Sequence, residues 1–441
     1  MSSHRRSPVV ALGFAVAALA AAGPAQAVNY PPPSKPGTGK GKPKGPHRTL
    51  RVCKHGHRCF PRIQDAINEA RAGDRIKVAH GLWREGVSIS GSGKRYIKLV
   101  GDPKHPDKVV LEGKGQKKAN GVLINGADHV TVNGFTARHY RANGFFVTNT
   151  TGYRFTNLKA FLAGVYGVYA FNTRGGSITN SEAAWNSDSG FYIGQTPPQV
   201  KPIRSMVRNI TSYGNVLGWS GTNMRYVTIT KSKFYNNGAG IVPNALDSEK
   251  YPPAEDNVIT GNEVFWNNFN YYDGAPFKAK PGGTRVGDVP FPIGVGILLF
   301  GGRGNTVTDN DVYGNWLVGI GALQALTLKD ATARDLEGNQ VTGNRLGLDG
   351  TDLNGRDLFY DGNGKDNCFG PNTGVQVVFP ESGATMVPCP FTGANAFDQQ
   401  ALATAVDWTV GDATHEAHYI RHDHVSKPGI TPLEHYTGGV K

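Results

Sequence analysis

The middle of the chain is written in short apolar or aromatic runs, and one set of runs always opens on a glycine. Gly121-Val-Leu-Ile, Gly144-Phe-Phe-Val, Gly167-Val-Tyr-Ala, Gly190-Phe-Tyr-Ile, Gly218-Trp, Gly240-Ile-Val, Gly296-Ile-Leu-Leu and Gly319-Ile-Gly return about every 23 residues. A second short run with a polar turn behind it accompanies them: Ser177-Ile-Thr-Asn, Val227-Thr-Ile-Thr, Val258-Ile-Thr-Gly-Asn, Val307-Thr-Asp-Asn and Val341-Thr-Gly-Asn. A unit this short cannot bury its apolar face alone, so successive units must stack, strand upon equivalent strand. Val, Ile, Thr, Phe and Tyr fill the runs while Gly, Asn and Asp fill the gaps, which selects strands over helices. The pattern predicts an all-β solenoid of parallel strands.

Ahead of the repeats, Ile63, Ile67 and Ala70 mark one face of a short helix ending at Ala72-Gly73-Asp74, followed by strands at Arg75-Ile-Lys-Val and Gly81-Leu-Trp-Arg-Glu-Gly-Val. A helix there would cap the open end of a solenoid, which otherwise exposes core and unpaired backbone. The recurring Asn180, Asn236, Asn237, Asn262, Asn267, Asn268 and Asn310 read as structural, because Asn tolerates left-handed backbone and bonds to its stacked equivalent.

The first residues bear on compartment. A basic start at His4-Arg5-Arg6, an apolar stretch from Val9 to Ala22 and the Ala25-Gln26-Ala27 cleavage form predict a secretory signal over 1–27, cut after Ala27. The stretch is shorter than the roughly 20 residues of a membrane span, and no other stretch is long enough. Residues 28–48 form a Pro/Gly/Lys linker carrying Lys35, Lys40, Lys42, Lys44 and Arg48 without an acid, either a solvated spacer or a strand that clings to anionic polymer. The solenoid is expected over 49–380, with an irregular segment over 381–441. The formal charge of +13 comes partly from the signal and linker. A mildly basic folded part of an exported chain matches an acidic polysaccharide or cell-wall polymer better than nucleic acid. The expected state is a monomer.

Four cysteines fall in two local pairs, Cys53 with Cys59 and Cys368 with Cys389, read as two disulfides stapling the ends of the solenoid. With His55 and His57, the first pair can also be written as a Cys₂His₂ zinc site.

The entry sequence and the repeats after it resemble the right-handed parallel β-helix superfamily of pectate lyases, pectin methylesterases, polygalacturonases and alginate epimerases. The stretch Asp361-Gly-Asn-Gly-Lys-Asp-Asn-Cys368-Phe, with Phe379-Pro and Cys389-Pro, resembles a terminal module of secreted actinobacterial β-helix proteins. The resemblance covers roughly residues 50–390 and implies the right-handed helical path, a polysaccharide ligand and no particular chemistry. Of the polygalacturonase signatures only Arg75-Ile76-Lys77 occurs, ahead of its place. Gly81-Leu-Trp-Arg-Glu85 is a fragment common to many β-helix entries, the esterase aspartates have no counterpart, and the pectate-lyase Arg-x-Pro-x-x-Arg is missing.

Chemistry is therefore sought where long insertions break the period. Loops follow Gly190-Phe-Tyr-Ile (Gln195 to Arg204), Gly240-Ile-Val (Asn244 to Asp256) and Tyr271-Tyr272-Asp273 (Pro276 to Pro292). With coils about 4.8 Å apart, the three gather along one side within roughly 20 Å. The wall so formed holds candidate catalytic residues Asp188, Tyr192, Asp247 and Lys250. Candidate ligand-binding residues are Gln195, Lys201, Arg204, Glu249, Tyr251, Tyr271, Tyr272 and Asp273. Rings stack on sugar faces and Lys or Arg pairs with uronate carboxylates. A lyase or C5-epimerase removes the proton α to the uronate carboxyl and needs a cation and a base. Lys250 or Arg204 would supply the first, Tyr192, Asp188 or Asp247 the second, while Asp247 and Glu249, two apart, look more like a cation site. The competing class is a non-catalytic protein that binds glycan or cell wall, and a third is a copper-handling β-helix using His415, His418, His422 and His424 beside Glu416 and Asp423. Asp349, Asp352, Asp357, Asp361, Asn363 and Asp366 form an oxygen-rich stretch that makes Ca²⁺ a candidate ligand, without EF-hand spacing.

Overall fold

The computed structural model describes residues 41–45, 47–54, 56, 58–271, 276–277 and 292–410. The predicted signal, most of the linker, His55 and His57, Tyr272 and Asp273, and the histidine tail lie outside them.

The chain winds through about 12 turns, each adding a strand to up to three parallel faces. The third face is an 11-stranded sheet from Val87–Ser90 to Val378–Phe379, and the glycine-led runs are its strands. The first and second faces merge into one 18-stranded sheet. The strands Thr151–Phe161, Arg174–Ala184 and Ser205–Tyr213 run through both, bending at Asn157, Asn180 and Asn209, whose φ angles of 51°, 50° and 53° are left-handed. Asn supplies that conformation at lower cost than most side chains.

Register places like upon like. Inside the first face, Val132, Phe155, Ile178, Val207, Ile229, Ile259, Val307 and Val341 stack in one column, all fully buried. The glycines have a different reason to recur. A Cβ on Gly121, Gly144, Gly167, Gly218, Gly240 or Gly296 would sit 2.4 to 2.7 Å from the carbonyl oxygen of the next glycine in the column. Only a hydrogen fits, so the column is required by close approach of backbone rather than by an unusual φ.

Asparagines line the corners. Asn186, Asn215, Asn237, Asn267, Asn315 and Asn354 form one buried ladder, in which each side-chain amide donates to the next Oδ1 at 2.9 to 3.1 Å. Asn257, Asn305, Asn339, Asn367 and Asn395 form a second, and Asn262, Asn310, Asn344 and Asn372 a third. The ladders satisfy the backbone groups that turns leave unpaired inside the core. Asn236 keeps a left-handed φ of 51°, and Asn268 donates to the Gly314 carbonyl at 2.8 Å.

The helix predicted near the start spans Ile63–Glu69 and packs Ile63, Ala66 and Ile67 into the main core. Both its ends are closed by distant side chains. The Glu85 carboxylate accepts from the Ile63 and Gln64 backbone N–H at 2.8 and 3.2 Å, and Lys94 Nζ donates to the Ile67, Asn68 and Ala70 carbonyls at 2.6 to 2.8 Å. The helix stops short of the predicted Ala72-Gly73-Asp74, the backbone already being extended at Ala70. Arg75-Ile76-Lys77 lies in the entry strand Arg75–Val78.

Both disulfides are formed, Cys53–Cys59 and Cys368–Cys389. The first consumes the thiolates that a Cys₂His₂ zinc site would need. Two disulfides fit an extracellular protein, and no helix among the described residues is long and apolar enough to cross a membrane. The segment after residue 380, expected to be irregular, carries the helix Gln399–Val410. Ala401, Leu402 and Ala405 turn its apolar stripe onto Val242, Val295, Val318 and Phe359 of the third face. The Asp-rich stretch does not converge. Asp349 stands 3.8 Å from Arg345, Asp352 accepts from Trp266, Asp357 from the Gln376 and Val377 N–H, Asp361 from the Gln324 and Asn363 N–H, and Asp366 from the Gly393 N–H. Each carboxylate has a protein partner of its own, and no metal-binding group of three exists among the described residues.

Candidate functional site

On the third face, the strand Ser189–Gly194 points Phe191 and Ile193 inward, so Tyr192 faces out. The same register puts Phe146, Tyr169 and Tyr192 in one outward column. Tyr166 joins them, its ring 4.6 Å from Tyr169 and 4.8 Å from Tyr192, and Tyr169 stands edge-on to Tyr192 at 4.8 Å. Tyr166 and Tyr169 escaped the sequence reading, although Tyr169 follows from the 23-residue register with Tyr192.

The loop after the strand Ala239–Asn244 folds back over this cluster. Tyr192 donates its hydroxyl proton to Glu249 Oε1, and Lys250 donates its backbone N–H to Gln195 Oε1 at 2.9 Å. Tyr192 is 1% exposed and Gln195 2%. Burial pushes the Glu249 carboxyl up to about 8, with nearby Asp188 adding to the rise against the opposing Tyr192 hydrogen bond. A carboxyl in such a site is neutral at pH 7 and can donate. Burial and the adjacent Glu249 raise the Tyr192 phenol well above its ordinary value, so it serves as a donor and not as a tyrosinate base. Glu249 Oε2 and Gln195 Nε2 are enclosed without a partner among the described residues. Half-buried Asp188 accepts from Ser189 Oγ at 2.7 Å.

Two residues that the sequence reading missed hold the loop. Asn223 Nδ2 donates to the Leu246 and Glu249 carbonyls, both at 2.9 Å, while its Oδ1 accepts from the Leu246 N–H at 3.2 Å. Arg225, 4% exposed, pairs with Glu255 at 2.6 Å and donates to the Tyr251, Pro252 and Thr196 carbonyls. Thr196 belongs to the first insertion, so one guanidinium ties two insertions together. A buried arginine in a corner between strands was the available signal.

Asp188, Tyr192, Gln195, Glu249 and the Lys250 main chain therefore meet. Asp247 is exposed and accepts from the Lys329 N–H at 2.8 Å, which directs its carboxylate to a different loop, away from a shared cation site with Glu249. Lys201 and Tyr251 are exposed on the insertions, and Arg204 reaches the Asp256 carbonyl at 2.9 Å. Tyr271 is corrected. It is 2% exposed and fills the space above Gly238, where a Cβ would lie 2.4 Å from its ring, so it is packing and not a ring for sugar.

A family model described as right handed beta helix region matches residues 120–322. No curated protein matches the chain. Among solved structures, the chain is similar to two Azotobacter vinelandii modules. The A-module of mannuronan C-5 epimerase AlgE6 is 17% identical with a TM-score of 0.51, and that of AlgE4 is 15% identical with a TM-score of 0.50; each match covers 72% of this chain and 90% of the other. At that identity the likeness establishes the path of the backbone and leaves the chemistry to the residues of this chain.

Proposed function

From the premise that this chain is a right-handed parallel β-helix of the pectin-lyase-like superfamily, we propose that it is a secreted protein that acts on an extracellular acidic polysaccharide, as a lyase or C5-epimerase. The observation that carries the reading is the raised carboxyl of Glu249, held on Tyr192 beside Asp188 where two insertions meet. Two carboxyl groups in unlike environments divide acid and base roles.

In this reading Asp188 takes the proton from C5 of a uronate, and the electron pair left behind is delocalised into the uronate carboxylate. Lys250, with Lys201 or Arg204 on the neighbouring insertion, neutralises that charge. In elimination the pair forms the C4–C5 double bond, the C4–O bond breaks, and the leaving oxygen takes the proton of Glu249 Oε2. In epimerisation the same proton is delivered to C5 from the opposite face. Both outcomes return the enzyme once Asp188 passes its proton to solvent and Glu249 is reprotonated.

Residues 28–441 incubated in D₂O with pectate, alginate and glycosaminoglycans should yield either ultraviolet absorbance from unsaturated uronate or deuterium at C5. Glu249→Gln should abolish both. Absence of both signals on every polymer would overturn the reading. The enclosure of Tyr192 favours one rival, a non-catalytic glycan-binding protein, which predicts binding without either signal in wild type.

A further inference from the structure

A second surface, on a different face from Tyr192, carries an independent signal. The outward positions of the first face form two columns along the solenoid axis. One runs Thr49, Arg75, Lys98, Thr131, Arg154, Ser177, Met206, and the other Arg51, Lys77, Val100, Asn133, Thr156, Thr179, Arg208. Six of these fourteen are cations and none is an acid. Arg75 lies directly across from Lys98 and Arg51 directly across from Lys77, about 4.8 Å apart by strand spacing.

All six cations are exposed, and none makes an ion pair or a side-chain hydrogen bond among the described residues. The second face behaves otherwise. There Lys159 pairs with Glu182, Lys233 with Glu263 and Arg345 with Asp311 in the same kind of column. Like charges opposed across strands destabilise a sheet, and this chain relieves that repulsion on one face and leaves it standing on the other. The uncompensated strip crosses six strand steps, about 29 Å.

We infer that the first face, from Arg51 to Arg208, is a docking strip for a linear polyanion, an acidic polysaccharide lying along the solenoid axis. For the identity of the polymer the inference rests on the acidic-glycan reading above; the surface itself is separate from the Tyr192 site. Thr131 and Ser177 stand in the first column and offer hydroxyls to sugar hydroxyls; in the second, Thr179 donates to Thr156 at 3.0 Å, which leaves the Thr156 hydroxyl to donate outward. No aromatic ring lies in either column to stack a base, as a single-stranded nucleic acid would require. A lipid surface would need an apolar band, which Val100 and Met206 do not make. The strip starts where the lysine-bearing segment before Thr49 joins the solenoid, which extends the basic character in sequence. It would hold the protein on its polymer while the third face does the chemistry.

The test is binding of the secreted chain to polygalacturonate across a salt series. Wild-type affinity should fall steeply with salt, as counterions are released from the polymer. Arg51→Gln/Arg75→Gln/Lys77→Gln/Lys98→Gln should bind at least 10-fold more weakly at low salt, with a shallower salt dependence and a melting temperature at or above that of wild type, because opposed like charges are removed. Arg154→Gln/Arg208→Gln, at the far end, should give a smaller loss and serves as the second variant if the first fails to fold. Lys233→Gln, which removes an exposed cation already paired with Glu263 on the second face, should bind like wild type. Undiminished binding by both strip variants overturns the inference, as does equal wild-type affinity for single-stranded DNA or anionic vesicles at the same salt. Turnover failing in wild type while the strip variants still lose binding would sink the enzymatic reading and leave this one standing.

Discussion

Tyr192 donates a hydrogen bond to Glu249 across 57 residues of sequence, joining an outward strand position to the loop that covers it. The bond forms inside an enclosure that holds the Glu249 carboxyl near 8, above its ordinary 4.5. Between those values the unfolded chain gives up a proton that the native chain keeps, so stability falls as pH rises, by up to ~1.4 kcal/mol per pH unit. Asp361, raised to about 7 by burial, contributes the same sign over its lower range. Urea unfolding should therefore show Glu249→Gln reducing the slope from about pH 4.5 to 8 and removing its share entirely above 7, where Asp361 no longer contributes, with Asp361→Asn added to flatten what remains below 7. If Glu249 is the proton donor, turnover should disappear as pH passes 8. A slope unchanged by Glu249→Gln would show that this carboxyl ionises normally.

The glycine column makes a sharp prediction about packing. A Cβ on Gly240 would lie 2.4 Å from the Gly296 carbonyl oxygen and 2.7 Å from Val264 Cγ1, and neither neighbour is the free end of a flexible side chain. Gly240→Ala should cost at least ~2 kcal/mol, in the range of overpacked cores. Gly93→Ala is the control, because a Cβ there meets nothing within 4 Å. That substitution should be neutral or stabilise by up to ~1 kcal/mol through the unfolded chain. Thermal melts of the two variants decide it, and equal melting temperatures would refute the close-approach account.

Much of this architecture was legible in the sequence because a solenoid repeats its constraints. Gly121, Gly144 and Gly167 advertised the coil length, and Asn237, Asn267 and Asn310 advertised the ladders, since each turn presents the same corner again. What was not legible lies off the repeat. Asn223 and Arg225 carry no periodic signature, and their partners are carbonyls of an irregular loop, which sequence does not place. Tyr271 was misread for a related reason. It sits at an insertion, where exposure is the ordinary expectation, yet Gly238 leaves a space that its ring fills. The helix Gln399–Val410 was missed because its Ala-rich stripe is weakly hydrophobic and depends on the third face for burial.

The asparagine ladder should be cooperative. Asn267 accepts from both the backbone and side-chain N–H of Asn237, and donates to Asn315 Oδ1 and the Phe234 carbonyl, each at 3.0 to 3.3 Å. Asn267→Ala orphans the Asn237 backbone N–H in a buried corner, at ~1–3 kcal/mol, while Asn237 Nδ2 keeps the Ser212 and Tyr235 carbonyls, and the void left by the amide adds to the loss. A loss of ~2–4 kcal/mol in chemical denaturation is expected, larger than removal of a comparable surface amide. A loss below ~1 kcal/mol would indicate that water or rearrangement replaces the rung.

Arg225 is the residue whose removal best separates positioning from chemistry. It touches no proposed reacting group, yet it binds Glu255 and the carbonyls of Thr196, Tyr251 and Pro252 from a site only 4% exposed. Arg225→Ala leaves those acceptors unpaired, and limited proteolysis should then cut between residues 244 and 256, where wild type resists. With the loop released, Glu249 loses the burial that raises it and its carboxyl returns toward the ordinary carboxylate range. The pH limit of turnover should move down from about 8 before activity is lost altogether, a change that a purely structural role elsewhere would not produce. Arg225→Lys should fail in the same way, because a single ammonium cannot reproduce the fixed fork that reaches several acceptors at once. A Lys variant with wild-type protease resistance and an unmoved pH profile would show that charge alone holds the loop, and the fork would then have no part in setting the state of Glu249.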